Sequence, residues 1–168
     1  MNKKIIVVIV IIVIVIIIFA MFNKMKNEIT SSNTNWLKDE TINRNKEDNK
    51  VENIKIKVNN EILIVKLEEN SSSEALVERL RKSNITINAH DYGNFEKVGD
   101  LGFNLPTNDT NITTEPGDLI LYQGNQITLY YDTNTWSFTK LGKVTNKSQS
   151  ELKNILGSGN VTLVLSIN

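Results

Sequence analysis

The chain has 168 residues, with 19 basic and 19 acidic side chains, one histidine, two prolines and no cysteine. The balanced charge gives no basic surface of the kind that binds nucleic acid. The lack of cysteine excludes disulfides, thiol catalysis and thiolate metal sites, and a single histidine excludes a multi-histidine metal cluster.

An apolar segment lies at the N-terminus. Residues 5–22 are 18 consecutive apolar residues without a charge, glycine or proline. As a helix they would extend about 27 Å, close to the ~30 Å hydrocarbon core of a bilayer. We predict an uncleaved transmembrane anchor behind a cytoplasmic tail of residues 1–4. The alternative is a cleaved signal peptide, which fits Lys3 and Lys4 but has a long apolar run and a poor cleavage motif at Ala20.

The flanking charges favour a single-pass topology in the cell membrane with the C-terminal part outside, because lysines precede the run and a four-residue tail cannot fold. Four lysines and no acid lie in residues 1–26, which leaves 15 basic and 19 acidic groups in residues 27–168. An acidic body is not attracted to nucleic acid or anionic lipid. The predicted membrane contact is therefore the N-terminal helix alone.

Residues 23–50 are rich in asparagine and mixed charges and contain few large apolar side chains. Such a composition cannot offset the entropy of ordering the chain, and we predict a flexible tether. Residues 51–168 then form one folded domain.

The first half of this domain begins with residues 54–58, which alternate apolar and polar, and Asn59-Asn60 then predicts a hairpin turn into residues 62–67. Ser71 opens an S-x-x-E capping box and a short amphipathic helix. A third strand is expected at residues 85–89. A region punctuated by glycine follows, with Leu101, Phe103 and Leu105 as buried anchors.

The second half repeats this pattern. Three turn-linked strands are predicted at residues 119–122, 127–131 and 136–141. Ser148 opens a second capping box and helix, Gly157 ends that helix, and residues 161–167 form the last strand. Short turn-linked strands at this spacing predict a mainly β domain, an antiparallel barrel with two short helices.

Candidate catalytic and metal groups are few. His90 and Asp91 would point to opposite faces of a strand, which disfavours their pairing. The oxygen side chains at Asn108, Asp109, Asn111 and Glu115 lack calcium-loop spacing, and we interpret them as turn residues. We predict no catalytic residue, no metal and no cofactor.

Aromatic residues fall on the three strands of the second half. Tyr130 and Tyr131 must face opposite sides of the sheet, so one side carries an aromatic ring beyond the core. Either these rings fill the core or they line a cleft that holds a small ligand or peptide. The second interpretation gives Glu96, Tyr122, Tyr131 and Trp136 as candidate ligand-binding residues.

An ordered set of segments between Ile54 and Ile167 resembles the bacterial cyclophilin-like domain family. The segments are HDYGNFEK (90–97), LPT (105–107), GDLILY (117–122), Tyr130-Tyr131, WSFTKLGKV (136–144) and LGSGNVT (156–162). The resemblance implies a closed cyclophilin-type barrel of about eight strands with two capping helices.

The resemblance does not extend to the prolyl isomerase site, because true cyclophilins use an arginine on a barrel strand. Here the arginines are Arg44 in the tether and Arg79 and Arg81 on the first helix. Lysine does not replace the planar fork of a guanidinium. We therefore expect a non-catalytic peptide or small-ligand binding module. The alternatives are a divergent prolyl isomerase and a structural accessory of a surface or transport complex.

Overall fold

A computed structural model of the chain describes Ile14, residues 16–26, Glu28, residues 50–157 and residues 159–167. The chain divides into two units, Met1–Lys50 and Val51–Asn168. In the first unit the described residues are helical and exposed from Ile14 to Glu28. Across the described part of the chain, no helix combines the length and the apolar character needed to cross a membrane.

Much of the predicted N-terminal organisation lies outside the described residues. This applies to the tail of residues 1–4, to residues 5–13 and 15 of the predicted span 5–22, and to residues 27 and 29–49 of the predicted tether. Where the structure describes this region, the helix continues past Phe22 as far as Lys26. The helix thus extends beyond the position at which the sequence predicts the tether to begin.

Residues 50–157 and 159–167 form nine strands and two helices. The strands are β1 (Asn53–Val58), β2 (Glu61–Leu67), β3 (Ile85–Tyr92), β4 (Glu96–Asp100), β5 (Thr110–Thr113), β6 (Asp118–Tyr122), β7 (Gln126–Tyr130), β8 (Thr135–Val144) and β9 (Val161–Ile167). The helices are α1 (Ser71–Leu80) and α2 (Gln149–Leu156).

The sheet is antiparallel and closed. Its strand order is β2-β1-β9-β3-β4-β7-β6-β8, and β8 pairs back to β2 through Val65↔Val144, Lys66↔Lys143 and Leu67↔Gly142. The ninth strand, β5, pairs with the first half of β8. The predicted closed antiparallel barrel of about eight strands is therefore confirmed, with β5 as an additional ribbon.

The inner face of the barrel is filled by aliphatic side chains. Ile54 and Ile56 on β1 are fully buried, as are Leu119 and Leu121 on β6. Both helices bury leucines in the same cluster, Leu76 and Leu80 from α1 and Leu152 and Leu156 from α2. The alternation that predicted the strands reflects this division between inward apolar and outward polar residues.

The local signals in the sequence are mostly correct. Asn59 has φ +53° in the β1–β2 turn, and Ser148 and Glu151 form the predicted capping box of α2. At α1 the prediction is wrong by one residue. The N-cap is Asn70, whose side chain accepts hydrogen bonds from the backbone amides of Ser72 and Ser73 at 3.1 and 2.9 Å. An asparagine oxygen can cap these amides as well as a serine oxygen can.

The hydroxyls of α1 instead attach the helix to the barrel. Ser72 Oγ donates to the Pro106 carbonyl at 2.6 Å, and Ser73 Oγ donates to the Leu141 carbonyl at 3.0 Å. These bonds fix the helix against the region after β4 and against β8.

Two strands are missing from the sequence prediction. β4 has a charged sequence but is almost entirely buried, and β5 is a four-residue polar strand. At Gly99 on β4, a Cβ would lie 2.5 Å from Ile87 Cγ2 and 2.8 Å from the Asn88 carbonyl oxygen. The glycine is therefore required by the close approach of the neighbouring backbone. Because glycine and charged residues make up most of β4, the strand shows no apolar alternation from which it could be predicted.

We predict that residues 51–168 fold without the N-terminal segment, because caps, turns and alternating strands all agree with one barrel. The purified fragment should show a cooperative thermal transition and dispersed amide resonances. Non-cooperative melting with random-coil dispersion would contradict this prediction.

Candidate functional site

A second apolar cluster lies on the outer face of the barrel. Its buried members are Ile120, Tyr130 and Phe138, and Phe95, Ile112 and Tyr122 pack against it. The register between β4 and β7 explains why this cluster lies outside the barrel. Lys97 pairs with Leu129, and both side chains point inward. Glu96 and Tyr130 form the adjacent pair, so their side chains point outward. The barrel thus has an inner core of aliphatic residues and an outer cluster rich in aromatic rings.

Five aromatic rings of this face form a continuous series of contacts, which we call the aromatic row: Tyr92, Phe95, Tyr130, Phe138 and Tyr122. Their successive ring centroids are 5.9, 6.1, 5.9 and 6.0 Å apart. Phe95 stacks on Tyr130 with an interplanar angle of 11°. These are favourable aromatic geometries.

The row is buried at its centre and exposed at its margin. Tyr130 is fully buried, whereas Tyr92 is 60% exposed. Trp136 is also 60% exposed, and it lies two residues before Phe138 on the same face of β8. Its cross-strand partner is Ile112, which packs against the outer cluster. Exposed aromatic rings continuous with a buried cluster are typical of a contact surface.

Polar groups lie among these rings. Glu96 is 7% exposed and Thr128 is 2% exposed. Within the described part of the chain, Glu96 Oε2 and Thr128 Oγ1 meet no hydrogen-bond partner that satisfies the geometric criteria. The Tyr130 hydroxyl interacts with both side chains, since it can donate to the Glu96 carboxylate while it accepts from the Thr128 hydroxyl.

Burial raises the pKa of Glu96, and this effect exceeds the opposing effects of the Tyr130 hydroxyl and His90. Burial also raises the pKa of Tyr130, with a further contribution from Glu96. The tyrosine therefore remains protonated. His90 is exposed on β3 and pairs with Val98, so its side chain lies on the outer face near Glu96. The structure also confirms that His90 and Asp91 face opposite sides.

The structure separates the four residues that the sequence nominated. Glu96 and Tyr122 lie on the outer face at the aromatic row, and Trp136 lies on the same face, on the β8 segment that extends from it. Tyr131 instead packs into the inner core. Tyr92, Phe95, Thr128 and Tyr130 were not nominated, although alternation along β7 indicated an outward Tyr130 or Tyr131.

The inward Tyr131 belongs to a polar cluster with Asp91 and Lys97. The Tyr131 hydroxyl donates a short hydrogen bond to Asp91 Oδ1. Lys97 is fully buried, and its Nζ donates to Asp91 Oδ1 at 2.9 Å and to the Gly159 carbonyl at 2.8 Å. Hydrogen bonds from Tyr131 and Lys97 lower the pKa of Asp91. This cluster joins β3 and β4 to the segment between α2 and β9.

In the oxygen-rich region between β4 and β6, the interpretation as turn residues is wrong for Asn111, which lies on β5 and pairs with Ser137. Asn108 Nδ2 donates to the hydroxyls of Ser71 and Ser72 at 2.9 and 2.7 Å. Thr139 Oγ1 donates to Asp109 at 2.5 Å. The described residues contain no group of three or more potential ligands that could hold a metal ion.

No arginine lies on a described strand. Arg79 and Arg81 are at the end of α1, where the Arg79 guanidinium is 4.7 Å from the centroid of the Phe103 ring and Arg81 pairs with Glu78 at 3.3 Å. Arg44 lies outside the described residues. The described barrel therefore offers no guanidinium to a prolyl amide on either face.

A shallow polar groove of about 520 Å³ lies elsewhere on the outer surface. It is lined by Lys57, Asn59, Asn88, Asn160, Val161, Thr162 and Val164. No aromatic ring or buried charge lines it. The aromatic row is the more specific candidate, because it combines rings with a buried carboxylate.

The protein is a closed antiparallel barrel with two helices, which is the class of fold that the resemblance implies. Its outer face carries the aromatic row. The model of the Cyclophilin-like family matches residues 56–166, and the chain belongs to this family. The resemblance to cyclophilin-like domains that the sequence indicated is thereby confirmed.

A similar solved fold is that of a hypothetical protein from Archaeoglobus fulgidus, known from its solution structure. The likeness has a TM-score of 0.53 and 18% sequence identity, and it covers 70% of this chain and 96% of the archaeal chain. It supports the fold alone. No curated protein sequence matches the chain.

We predict that Asp91→Asn destabilises the barrel by about 3–5 kcal/mol, because the buried Lys97 charge loses its counter-ion. Since the folded state lowers the pKa of Asp91, its contribution is present above about pH 3.8 and is lost as the pH falls further. Urea unfolding at pH 7 and at pH 3 measures both effects.

Asp132→Asn is the matched control, because Asp132 pairs with Lys153 at 2.8 Å on the exposed surface and should contribute little. The double variant Asp91→Asn/Lys97→Met should recover part of the lost stability. Equal effects of the two aspartate variants would show that the inner cluster is not a buried ion pair.

Proposed function

We propose that the cyclophilin-like domain is a non-catalytic binding module that holds a peptide segment on the aromatic row. The observation that carries the proposal is a series of five touching rings on the outer face that passes from the fully buried Tyr130 to the exposed Tyr92. Aromatic surfaces with a few polar groups are typical of ligand and peptide sites. Trp136 extends the same surface.

The position of the core supports an external site. Buried aliphatic side chains from the strands and from both helices occupy the inner face of the barrel. A ligand at the centre of the barrel would have to displace them, and close-packed interiors resist such a change. A peptide on the outer face needs only adjustments of partly exposed rings.

The arginine positions support binding without catalysis. Prolyl isomerases of the cyclophilin type use a strand arginine, whereas here Arg79 lies on α1 and Arg81 directly follows it. The buried strand lysine, Lys97, is committed to Asp91 and Gly159. Fold alone does not transfer an activity.

The proposal includes anchoring to the cell membrane through residues 5–22, with the domain outside. The apolar run and the preceding lysines support it. Membrane fractions should retain the chain after alkaline carbonate washing, and externally added protease should digest the domain in intact cells. Release by carbonate would contradict the membrane anchor. Protection from the protease would contradict the external position of the domain.

We expect binding to depend on Trp136. The peptides come from a hexapeptide library divided into pools, and each pool has one fixed residue at a central position. The full-length chain in non-ionic detergent should bind at least one of these pools. Saturation-transfer NMR detects the bound peptide. Trp136→Ala should weaken binding about tenfold, as loss of an aromatic contact at an interface does, while the unfolding midpoint changes little.

Ile62→Ala is the control, because Ile62 is a 46% exposed apolar residue on β2, a strand that contributes no ring to the aromatic row. It should leave peptide binding unchanged. Failure of every pool to bind would reject the binding module and favour a structural accessory. A large loss of stability in Trp136→Ala with unchanged binding would assign Trp136 to the fold.

We also expect no acceleration of prolyl isomerisation. Uncatalysed isomerisation takes tens to hundreds of seconds, so even slow catalysis is detectable in a protease-free assay with an X-Pro peptide. A rate that increases in proportion to protein concentration would show instead a divergent isomerase with a catalytic group other than arginine.

A further inference from the structure

Glu96 differs from the other two carboxylates of the barrel that are largely buried. Asp91 is paired with Lys97 at 2.9 Å, and Asp118 is paired with Lys140 at 2.9 Å and lies 3.9 Å from Lys143. Glu96 is more than nine-tenths buried and forms no ion pair among the described residues. Burying a carboxylate without a cationic partner costs free energy, so the stability of the fold does not explain the position of Glu96.

The surroundings of Glu96 suit a positive charge. Phe95 precedes it in the chain, Tyr130 is its cross-strand partner, and the rings of Phe95 and Tyr130 stack on each other. Aromatic faces carry partial negative charge and attract ammonium groups. Rings next to a carboxylate thus provide two kinds of attraction for the same cation.

We propose that the aromatic row and Glu96 recognise an organic ammonium group, specifically a lysine side chain of the bound peptide. The inference rests on the proposed function and names the chemistry of its ligand. The ammonium group would supply the counter-ion that Glu96 lacks, and the methylene stem of the lysine would lie along the rings. The acidic excess of residues 27–168 favours the approach of such a ligand.

The β3–β4 turn provides the route to Glu96. Gly93 and Asn94 both have positive φ, at 61° and 59°, and the ring of Phe95 lies where a side chain at residue 93 would be. Tyr92, next to this turn, is 60% exposed. Displacement of the Phe95 ring away from Tyr130 would open the outer face beside Glu96, the next residue in the chain.

The test is run at a pH of about 8, at which the lysine side chain of a peptide remains charged.

The experiment compares two peptides that differ in one charge. Acetylated and amidated Gly-Val-Lys-Val-Gly and its counterpart with norleucine in place of lysine are titrated calorimetrically into the full-length chain in non-ionic detergent at pH 8. The lysine peptide should bind about tenfold more tightly, because cation–π attraction and the carboxylate act together. Glu96→Gln should reduce this preference to less than about twofold while retaining binding of the norleucine peptide.

Further variants separate recognition from folding. Thr128→Val removes the neighbouring unpaired hydroxyl, leaves the carboxylate in place and should keep the preference for lysine. If Glu96→Gln fails to fold, Phe95→Leu serves instead, since it removes one ring of the aromatic row and should reduce the preference in the folded protein.

Each result decides between the proposals. Equal binding of both peptides would overturn cation recognition and leave the binding module in place. No binding of the lysine peptide would overturn the inference, and the library experiment then decides the binding module separately. If n-butylammonium chloride binds as tightly as the lysine peptide, the ligand is a free amine and the assignment to a peptide is wrong. A lysine preference that persists in Glu96→Gln would also overturn the role of Glu96.

Discussion

Closure of the barrel between β2 and β8 is the constraint on which the rest of the structure depends. At the closing pair Leu67↔Gly142, the Lys66 carbonyl oxygen and a methyl group of Val65 occupy the space that a side chain at residue 142 would need. Closing a sheet leaves its inner face to be filled by side chains. Because those side chains and two helices complete the core, the binding site that we propose lies on the outer surface.

The same geometry gives consecutive residues different roles. Tyr131 points inward, where its hydroxyl and Lys97 hold Asp91, and Tyr130 points outward, where its ring lies between Phe95 and Phe138. The inner polar cluster is fully paired and stabilises the join between β3 and β4. The outer one contains Glu96, a buried carboxylate without an ion-pair partner among the described residues. This contrast is the basis of our proposal that the outer face binds a ligand at a cost in stability.

Much of the fold could be predicted from the sequence, because apolar alternation and turn residues act locally. The Asn59 turn and the Ser148 capping box are examples. β4 could not be predicted in this way, since its charged residues are buried by neighbours distant in sequence. For the site, the sequence nominated Glu96, Tyr122, Tyr131 and Trp136 as one group. The structure places Tyr131 inward and the other three on the outer face. The sequence alone could not give this division, because the orientation of Tyr130 and Tyr131 depends on register with β4.

The most direct test of the account is the unfolding free energy of Glu96→Gln, measured against the unaltered chain across pH. Because burial raises the pKa of Glu96, the charged carboxylate destabilises the folded state, and this cost grows as the pH rises above about 4.5. We predict that Glu96→Gln is the more stable protein at pH 7 and that the difference disappears near pH 4. A variant less stable than the unaltered chain at every pH would show that Glu96 serves the fold and would contradict its role as a binding residue.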